Sequence, residues 1–235
     1  IKDGERCFYT RENALIIDTM RRYIDERVEP DLKHYLLGPL LVKASIHTNT
    51  SGVFKGFHKD KATGKGKFGG TGENATSRIL GTITLQMPIW PERAAHVRCF
   101  QKDVNVLMDH NAFEYDIIYL DPPYNQHPYG SNYFMLNVIC SNEQPQQISK
   151  VSGIPVDWNR STYNKQSKAV QSMERLLNKC TSCSKKVILS YNNEGIISLE
   201  RLNELLIKYD VSEKRIEYDT FKGSRNLRSR SNKVT

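Results

Sequence analysis

The run Asp121-Pro122-Pro123-Tyr124 sets an acid, a carbonyl freed from strand pairing and an aromatic ring side by side. It follows Phe113-Glu114-Tyr115-Asp116-Ile117-Ile118-Tyr119-Leu120, a stretch of β-formers long enough to be one buried strand. Pro122 and Pro123 cannot donate ladder hydrogen bonds, so the strand is expected to end at Asp121. Ligands of open α/β sheets bind at such carboxyl ends of strands. The chemistry suits a planar substrate carrying an exocyclic amine. Asp121 can accept one N–H, the Pro122 carbonyl can accept the other, and Tyr124 can stack on the ring. That is equipment for methylating an amino group on a base taken out of its stack. The plainer reading is an acidic strand end followed by an ordinary proline turn.

From residue 97 onward the pattern around this run is α/β. Residues 97–100 read as a short strand ending near Asp103, and residues 113–121 as the next strand. Residues 169–180 read as a helix with Val170, Met173, Leu176 and Leu177 on one face. Residues 187–191 read as a strand running into Asn192-Asn193-Glu194-Gly195, and 199–209 as a helix with Leu202, Leu205 and Leu206 inward. Residues 214–221 alternate like a strand near a sheet edge. Strands alternating with helices make a doubly wound, Rossmann-like parallel sheet the expected class. Ahead of it, residues 10–28 carry the stripe Ile16, Ile17, Met20, Tyr23 and Ile24 behind the capping residue Thr10. A second helix is expected over residues 31–46, with Pro39 arguing for a kink or an early stop. The chain thus divides into a helical part of the catalytic domain (1–48), an insertion (49–96) and an α/β catalytic domain (97–235).

The insertion differs in composition. Residues 51–72 hold half of the chain's 14 glycines together with Lys55, His58, Lys59, Lys61, Lys65 and Lys67. Such a stretch is expected to be a mobile, basic excursion, followed by a short strand at 82–87. On DNA its lysines would contact phosphates; the alternative is a solvated linker. The run Lys222, Arg225, Arg228, Arg230 and Lys233, with no acid from 222 to 235, reads either as a phosphate clamp or as a frayed basic terminus. Over all 235 residues, 34 Lys and Arg against 26 acids give a net charge of +8 and an isoelectric point near 9.2, which favours a polyanionic partner. Five cysteines do not make a secreted disulfide framework, and Cys180-Thr181-Ser182-Cys183 reads as two reduced thiols rather than a metal site. Without a stretch of roughly 20 apolar residues or a secretory signal, a soluble cytoplasmic protein is expected.

With these pieces assembled, the chain resembles the D12-class DNA adenine N6-methyltransferases, particularly those of restriction–modification systems. The resemblance rests on Phe8-Tyr9-Thr10-Arg11-Glu12-Asn13, on Asn49-Thr50-Ser51-Gly52 with Phe54 and Phe57, on residues 119–133, and on residues 189–195. It implies a site-specific enzyme moving a methyl group from S-adenosylmethionine to the N6 amine of a flipped adenine in double-stranded DNA. A cognate restriction endonuclease would act on the same site. Asp121, Pro122, Pro123 and Tyr124 would be the catalytic residues, and Asp103 and Asp121 would serve the cofactor. Asp103 is equally readable as a turn aspartate. Tyr129, Asn132, Tyr133, Tyr191 and Asn192 would serve the substrate, with Lys55, Lys59, Lys65, Lys67, Lys222, Arg225 and Arg228 along the DNA. The block 49–96 would be the target-recognition insertion.

The family also carries a phenylalanine-led glycine loop after a strand, where backbone approaches the cofactor. Phe68-Gly69-Gly70-Thr71-Gly72 has the spelling but follows a polar, lysine-rich stretch, so it is not expected to be that loop. The chain is therefore expected to belong to a longer enzyme that supplies a cofactor segment before it and a last strand after it. Two rival readings stand: an adenine N6-methyltransferase acting on RNA, and a non-catalytic DNA-binding specificity subunit. The recognition sequence and the oligomeric state are not legible.

Overall fold

The computed structural model describes residues 1–219, apart from 3, 71–73 and 91, together with 233–234. It divides into two compact units that interleave along the chain: residues 1–95 with 129–159, and residues 96–128 with 160–235.

The first unit is mainly helical. Helix α1 (Arg11–Arg27) starts where Thr10 Oγ1 accepts the backbone N–H of Asn13, and it carries Glu12 in its first turn and Arg27 in its last. A 3₁₀ turn (Pro30–Leu32) leads into α2 (Lys33–Ile46). Pro39 neither stops nor splits α2, which runs through it; burial of Leu40, the next residue, and of Ala44, a turn beyond it, fixes the helix despite the missing donor. Ile17 and Ile24 of α1 pack with Leu40, Ala44, Ile83 and Ile139, the last from α6 (Phe134–Ser141). Two short helices complete the unit, α3 (Ala75–Leu80) and α5 (Tyr129–Asn132).

The strand expected at 82–87 does not form. Its start is held instead by one buried side chain: Asn13 Nδ2 donates to the Gly81 carbonyl at 2.9 Å, and Ile83 N–H donates to Asn13 Oδ1 at 2.9 Å. The glycine- and lysine-rich segment is not a loose excursion either. Phe54 is buried in a cluster with Phe8 and Phe134, and Phe57 packs edge-on against Phe8 at 5.4 Å between centroids. Asn49, fully buried, donates to the Cys7 carbonyl at 2.8 Å and the Lys67 carbonyl at 3.0 Å, and accepts from Gly69 N–H at 3.3 Å. Composition alone suggested mobility, but phenylalanines spaced among the glycines supply the anchoring surface.

The second unit holds a two-stranded parallel sheet. Strand β1 (Tyr115–Leu120) pairs in register with β2 (Ser184–Leu189), from Tyr115 opposite Ser184 to Leu120 opposite Leu189. Helices α4 (Val104–Asp109), α7 (Gln166–Ser182) and α8 (Leu199–Leu206) accompany it. Met173, Leu176, Leu177 and Cys180 of α7 bury one sheet face together with Met108, Leu120, Ile197, Leu202 and Leu205. Among the described residues β1 is therefore covered on one face, whereas its run of β-formers suggested a buried strand. Ile118 packs on the core while Ile117 and Tyr119, one residue to either side, are 60% and 61% exposed. Residues 97–100 do not form the expected strand, and Val97 and Phe100 are exposed. At the far end β3 (Tyr218–Asp219) pairs antiparallel with β4 (Lys233–Val234). The architecture is a mixed helix–strand fold around a small parallel sheet.

Candidate active site

Asp121 follows the last residue of β1, at the carboxyl end of the parallel pair, and is exposed. The chain is held firmly on both sides of it. Ser190 N–H donates to the Leu120 carbonyl at 2.9 Å, carrying the ladder one step past β2. Three residues on, the Tyr124 carbonyl accepts Ile196 N–H at 2.7 Å. The Asn125 carbonyl accepts Asn164 Nδ2 at 2.7 Å, and Asn125 Oδ1 closes a turn by accepting His127 N–H at 2.9 Å. Pro122 and Pro123, each with φ confined by its ring, span the distance between these anchors. The acid, the carbonyl and the aromatic residue thus lie on one short, restrained segment.

The loop after β2 provides that restraint. Tyr191 turns inward: its Oη accepts Ile197 N–H at 3.0 Å, and its ring lies so close beneath Gly195 that a Cβ there would sit 2.2 Å from a ring carbon. Burial pushes the Tyr191 phenol's pKa up, opposed by that N–H. Asn192 is buried and shapes the turn, with Oδ1 accepting Glu194 N–H at 3.1 Å and its carbonyl accepting Gly195 N–H at 3.2 Å. Ile197 then anchors the loop in the core. The structure places Tyr191 and Asn192 as the frame of the loop that holds Tyr124. Asn164, Gly195 and Ile196 share this work; Asn164 and Ile196 escaped the sequence reading, and Gly195 enters it only as the end of the 189–195 segment. The Asn-Asn-Glu-Gly turn signals Gly195, whereas nothing local signals Asn164.

Asp103 caps α4, its Oδ1 accepting Asn105 N–H at 2.9 Å and Val106 N–H at 3.3 Å. Beside it Asn105 is buried and donates to the Tyr163 hydroxyl at 3.0 Å, which donates to the Ser172 carbonyl at 3.1 Å. Burial pushes the Tyr163 phenol up to about 12. Asn105 Oδ1 is a buried acceptor with no hydrogen-bond partner among the described residues.

Tyr129, Asn132, Tyr133 and the lysines of the insertion lie in the first unit. The rings of Tyr129 and Tyr133 stack at 5.7 Å and 21°, and the Asn132 carbonyl accepts Phe54 N–H at 2.7 Å. Lys55, Lys59, Lys65 and Lys67 are exposed; Lys59 Nζ sits 5.1 Å from the centre of the Phe57 ring, and partial burial lowers the pKa of Lys55. Gly69, at φ +113°, lies where a Cβ would meet Thr76 Oγ1 at 2.9 Å, so internal packing accounts for this glycine. Lys222, Arg225 and Arg228 fall outside the described residues.

Comparison with known proteins matches the amino-acid sequence to one family. The chain belongs to the D12 class N6 adenine-specific DNA methyltransferase family, whose profile matches residues 11–205. It is similar to the modification methylase StsI of Streptococcus sanguinis, with 31% identity over 219 residues, 88% of this chain and 30% of that protein. It is also similar to the type II methyltransferase M.NlaIII of Neisseria lactamica, with 30% identity over 94% of this chain and 62% of that one. M.CviAII of Paramecium bursaria Chlorella virus 1 is 30% identical over 89% of this chain and 58% of its own length. The chain therefore spans less than two thirds of each of these relatives. No solved structure matches.

Proposed function

We propose that this chain carries the catalytic segment of a site-specific DNA methyltransferase that adds a methyl group to the N6 amine of adenine. One observation carries the reading: Asp121-Pro122-Pro123-Tyr124 leaves the carboxyl end of a parallel strand and is tied at Leu120 and Tyr124 to the loop after its partner strand. In this reading the flipped adenine presents its two amine hydrogens to Asp121 and to the Pro122 carbonyl, and Tyr124 stacks on the ring. Two acceptors hold the amine with its lone pair aimed outward and stabilise the positive charge that develops on nitrogen as the new bond forms. The nitrogen gains a methyl group and loses a proton, for which Asp121 is the acceptor in reach.

S-adenosylmethionine would supply an electrophilic methyl group on a sulfonium centre. The residues present fit its polar parts: the second oxygen of Asp103 lies outside the cap, and Asn105 offers a buried acceptor close in sequence. Membership of a methyltransferase family supports the choice of donor class. The small parallel sheet supports a doubly wound, Rossmann-like reading for the whole enzyme. Residues 1–48 and 97–235 would form its catalytic part and 49–96 its target-recognition insertion. The family description supports DNA as substrate; that the DNA is double-stranded and that a restriction endonuclease is its companion rest on the resemblance to restriction–modification enzymes. Among the described residues no helix is long and apolar enough to cross a membrane.

The test is transfer of labelled methyl from S-adenosylmethionine to mixed double-stranded DNA by the intact protein, with Asp121→Ala alongside. Label recovered as N6-methyladenine and reduced about 10²–10³-fold or more in the variant is the expected result. Equal transfer by both proteins would remove Asp121 from the chemistry, and transfer to RNA alone would replace the substrate.

A further inference from the structure

In the first unit two short turns, distant in sequence, form the walls of one cleft. The first is the hairpin at residues 59–66. Lys59 bridges Gly66, Asp60 N–H donates to the Lys65 carbonyl at 2.8 Å, and Gly64 turns the tip at φ +69°. Asp60 Oδ1 rigidifies that tip by accepting Ala62 N–H at 3.0 Å, Thr63 N–H at 2.9 Å and the Thr63 hydroxyl at 3.1 Å. The second wall is the turn at 148–155, where Ile148 bridges Pro155 and Ser149 N–H donates to the Ile154 carbonyl at 2.8 Å. Arg6 clamps this turn by donating to the carbonyls of Ser149 and Lys150 at 3.4 Å.

The cavity between them has a volume of about 260 Å³ and is lined by Lys59, Lys65 and Lys150 over Phe57 and Val151, with Glu5 the one carboxylate among the described residues around it. Its polar chemistry is that of point cations. Arg6 Nη2 and the Thr63 hydroxyl are already engaged by protein acceptors, and the charged side chains of the lining are three ammonium groups and one carboxylate, which offer few paired donors and acceptors for reading base edges. Ammonium groups on rigid turns suit phosphate oxygens, which they position without discriminating sequence. We propose that this cleft takes the sugar–phosphate backbone of a DNA strand, with Lys150 of the far turn and Lys59 of the hairpin contacting phosphates from opposite walls. The proposal rests on the reading of DNA as substrate and adds Lys150, which sequence composition did not single out.

The test is equilibrium binding of a duplex to the intact protein without methyl donor, over a series of salt concentrations. Removing one lysine–phosphate pairing should flatten the slope of log K against log salt by about 0.9. Lys150→Ala is expected to weaken binding roughly 3–10-fold on every sequence and to flatten the slope by about that amount; Lys59→Ala/Lys150→Ala should flatten it by about twice as much. Lys150→Arg should keep the wild-type slope. Glu5→Gln should tighten binding about two- to fivefold, an effect that a folding defect cannot produce. An unchanged slope in Lys150→Ala overturns the proposal, whether or not affinity falls, and so does weaker binding by Glu5→Gln. Methyl transfer is measured in parallel. Slope changes without transfer would keep the cleft and remove the catalytic reading, and transfer with unchanged slopes would do the reverse.

Discussion

Asn49 shows how much one residue can carry. Its side chain meets Cys7, Lys67 and Gly69, so three stretches of chain converge on one amide. Replacing it by Ala leaves two carbonyls and an N–H without that partner in a buried place. Each unsatisfied group costs about 1–3 kcal/mol, so Asn49→Ala should lower unfolding stability by at least about 3 kcal/mol, read from the urea midpoint. A loss under about 0.5 kcal/mol would mean that water replaces the amide. Gly195 makes the corresponding case in the site. A Cβ there would displace the Tyr191 ring and, with it, the hold of Ile197 on the Tyr191 hydroxyl and of Ile196 on the Tyr124 carbonyl. Gly195→Ala is expected to reduce kcat at least about tenfold, because small misplacements of a positioned group are expensive. A wild-type kcat would separate the loop from the chemistry. The two residues also mark the limit of reading a sequence. Asp121 to Tyr124 is legible because its chemistry is contiguous; Asn49 is legible as the start of a resembling segment but its bonding is not, because the groups that satisfy it arrive from elsewhere in the chain.

Elements were legible where a local pattern decides them. The stripe and cap of α1 place it at Arg11–Arg27 against an expected 10–28, and the face of α7 reads correctly. Two local rules misled. A proline in a helix interior leaves a carbonyl without its intrahelical donor, yet α2 runs through Pro39 because its apolar residues are buried by packing. The cost remains in the helix, so Pro39→Ala should raise stability by about 1–3 kcal/mol, visible as a higher melting temperature. A lower one would show that packing of the half-buried ring outweighs the missing hydrogen bond. For β1, hydrophobicity predicted a strand but not the number of its covered faces. That depends on how many helices pack on it, and α7 covers only one.

At the scale of the molecule, the two units exchange the chain repeatedly, residues 129–159 returning to the unit of residues 1–95. A one-dimensional pattern carries no mark of this, because it is set by contacts between distant segments. Both units nonetheless share one dependence on pH. Burial raises the phenols of Tyr9 and Tyr191, takes Tyr163 to about 12 from 10.0, and takes the Cys180 thiol to about 11 from 9.0. In each case the fold favours the neutral acid. The unfolded chain ionises first, so this stabilisation is complete below about pH 9 and is lost as pH rises from there through about 12. Charge repulsion runs the other way at first, because the +8 net charge relaxes towards zero near the isoelectric point of 9.2. Stability should therefore hold to about pH 9 and fall steeply above it, a window open to urea titrations between about pH 8 and 11. Tyr163→Phe should start about 1 kcal/mol less stable at about pH 8, without the bonds to Asn105 and Ser172. Above pH 10, the ordinary phenol value, its decline should be shallower than that of the parent protein, because one raised phenol is gone. Parallel declines would show that Tyr163 ionises alike in the folded and unfolded chains, and the alkaline limit would then rest on Tyr9, Tyr191 and Cys180.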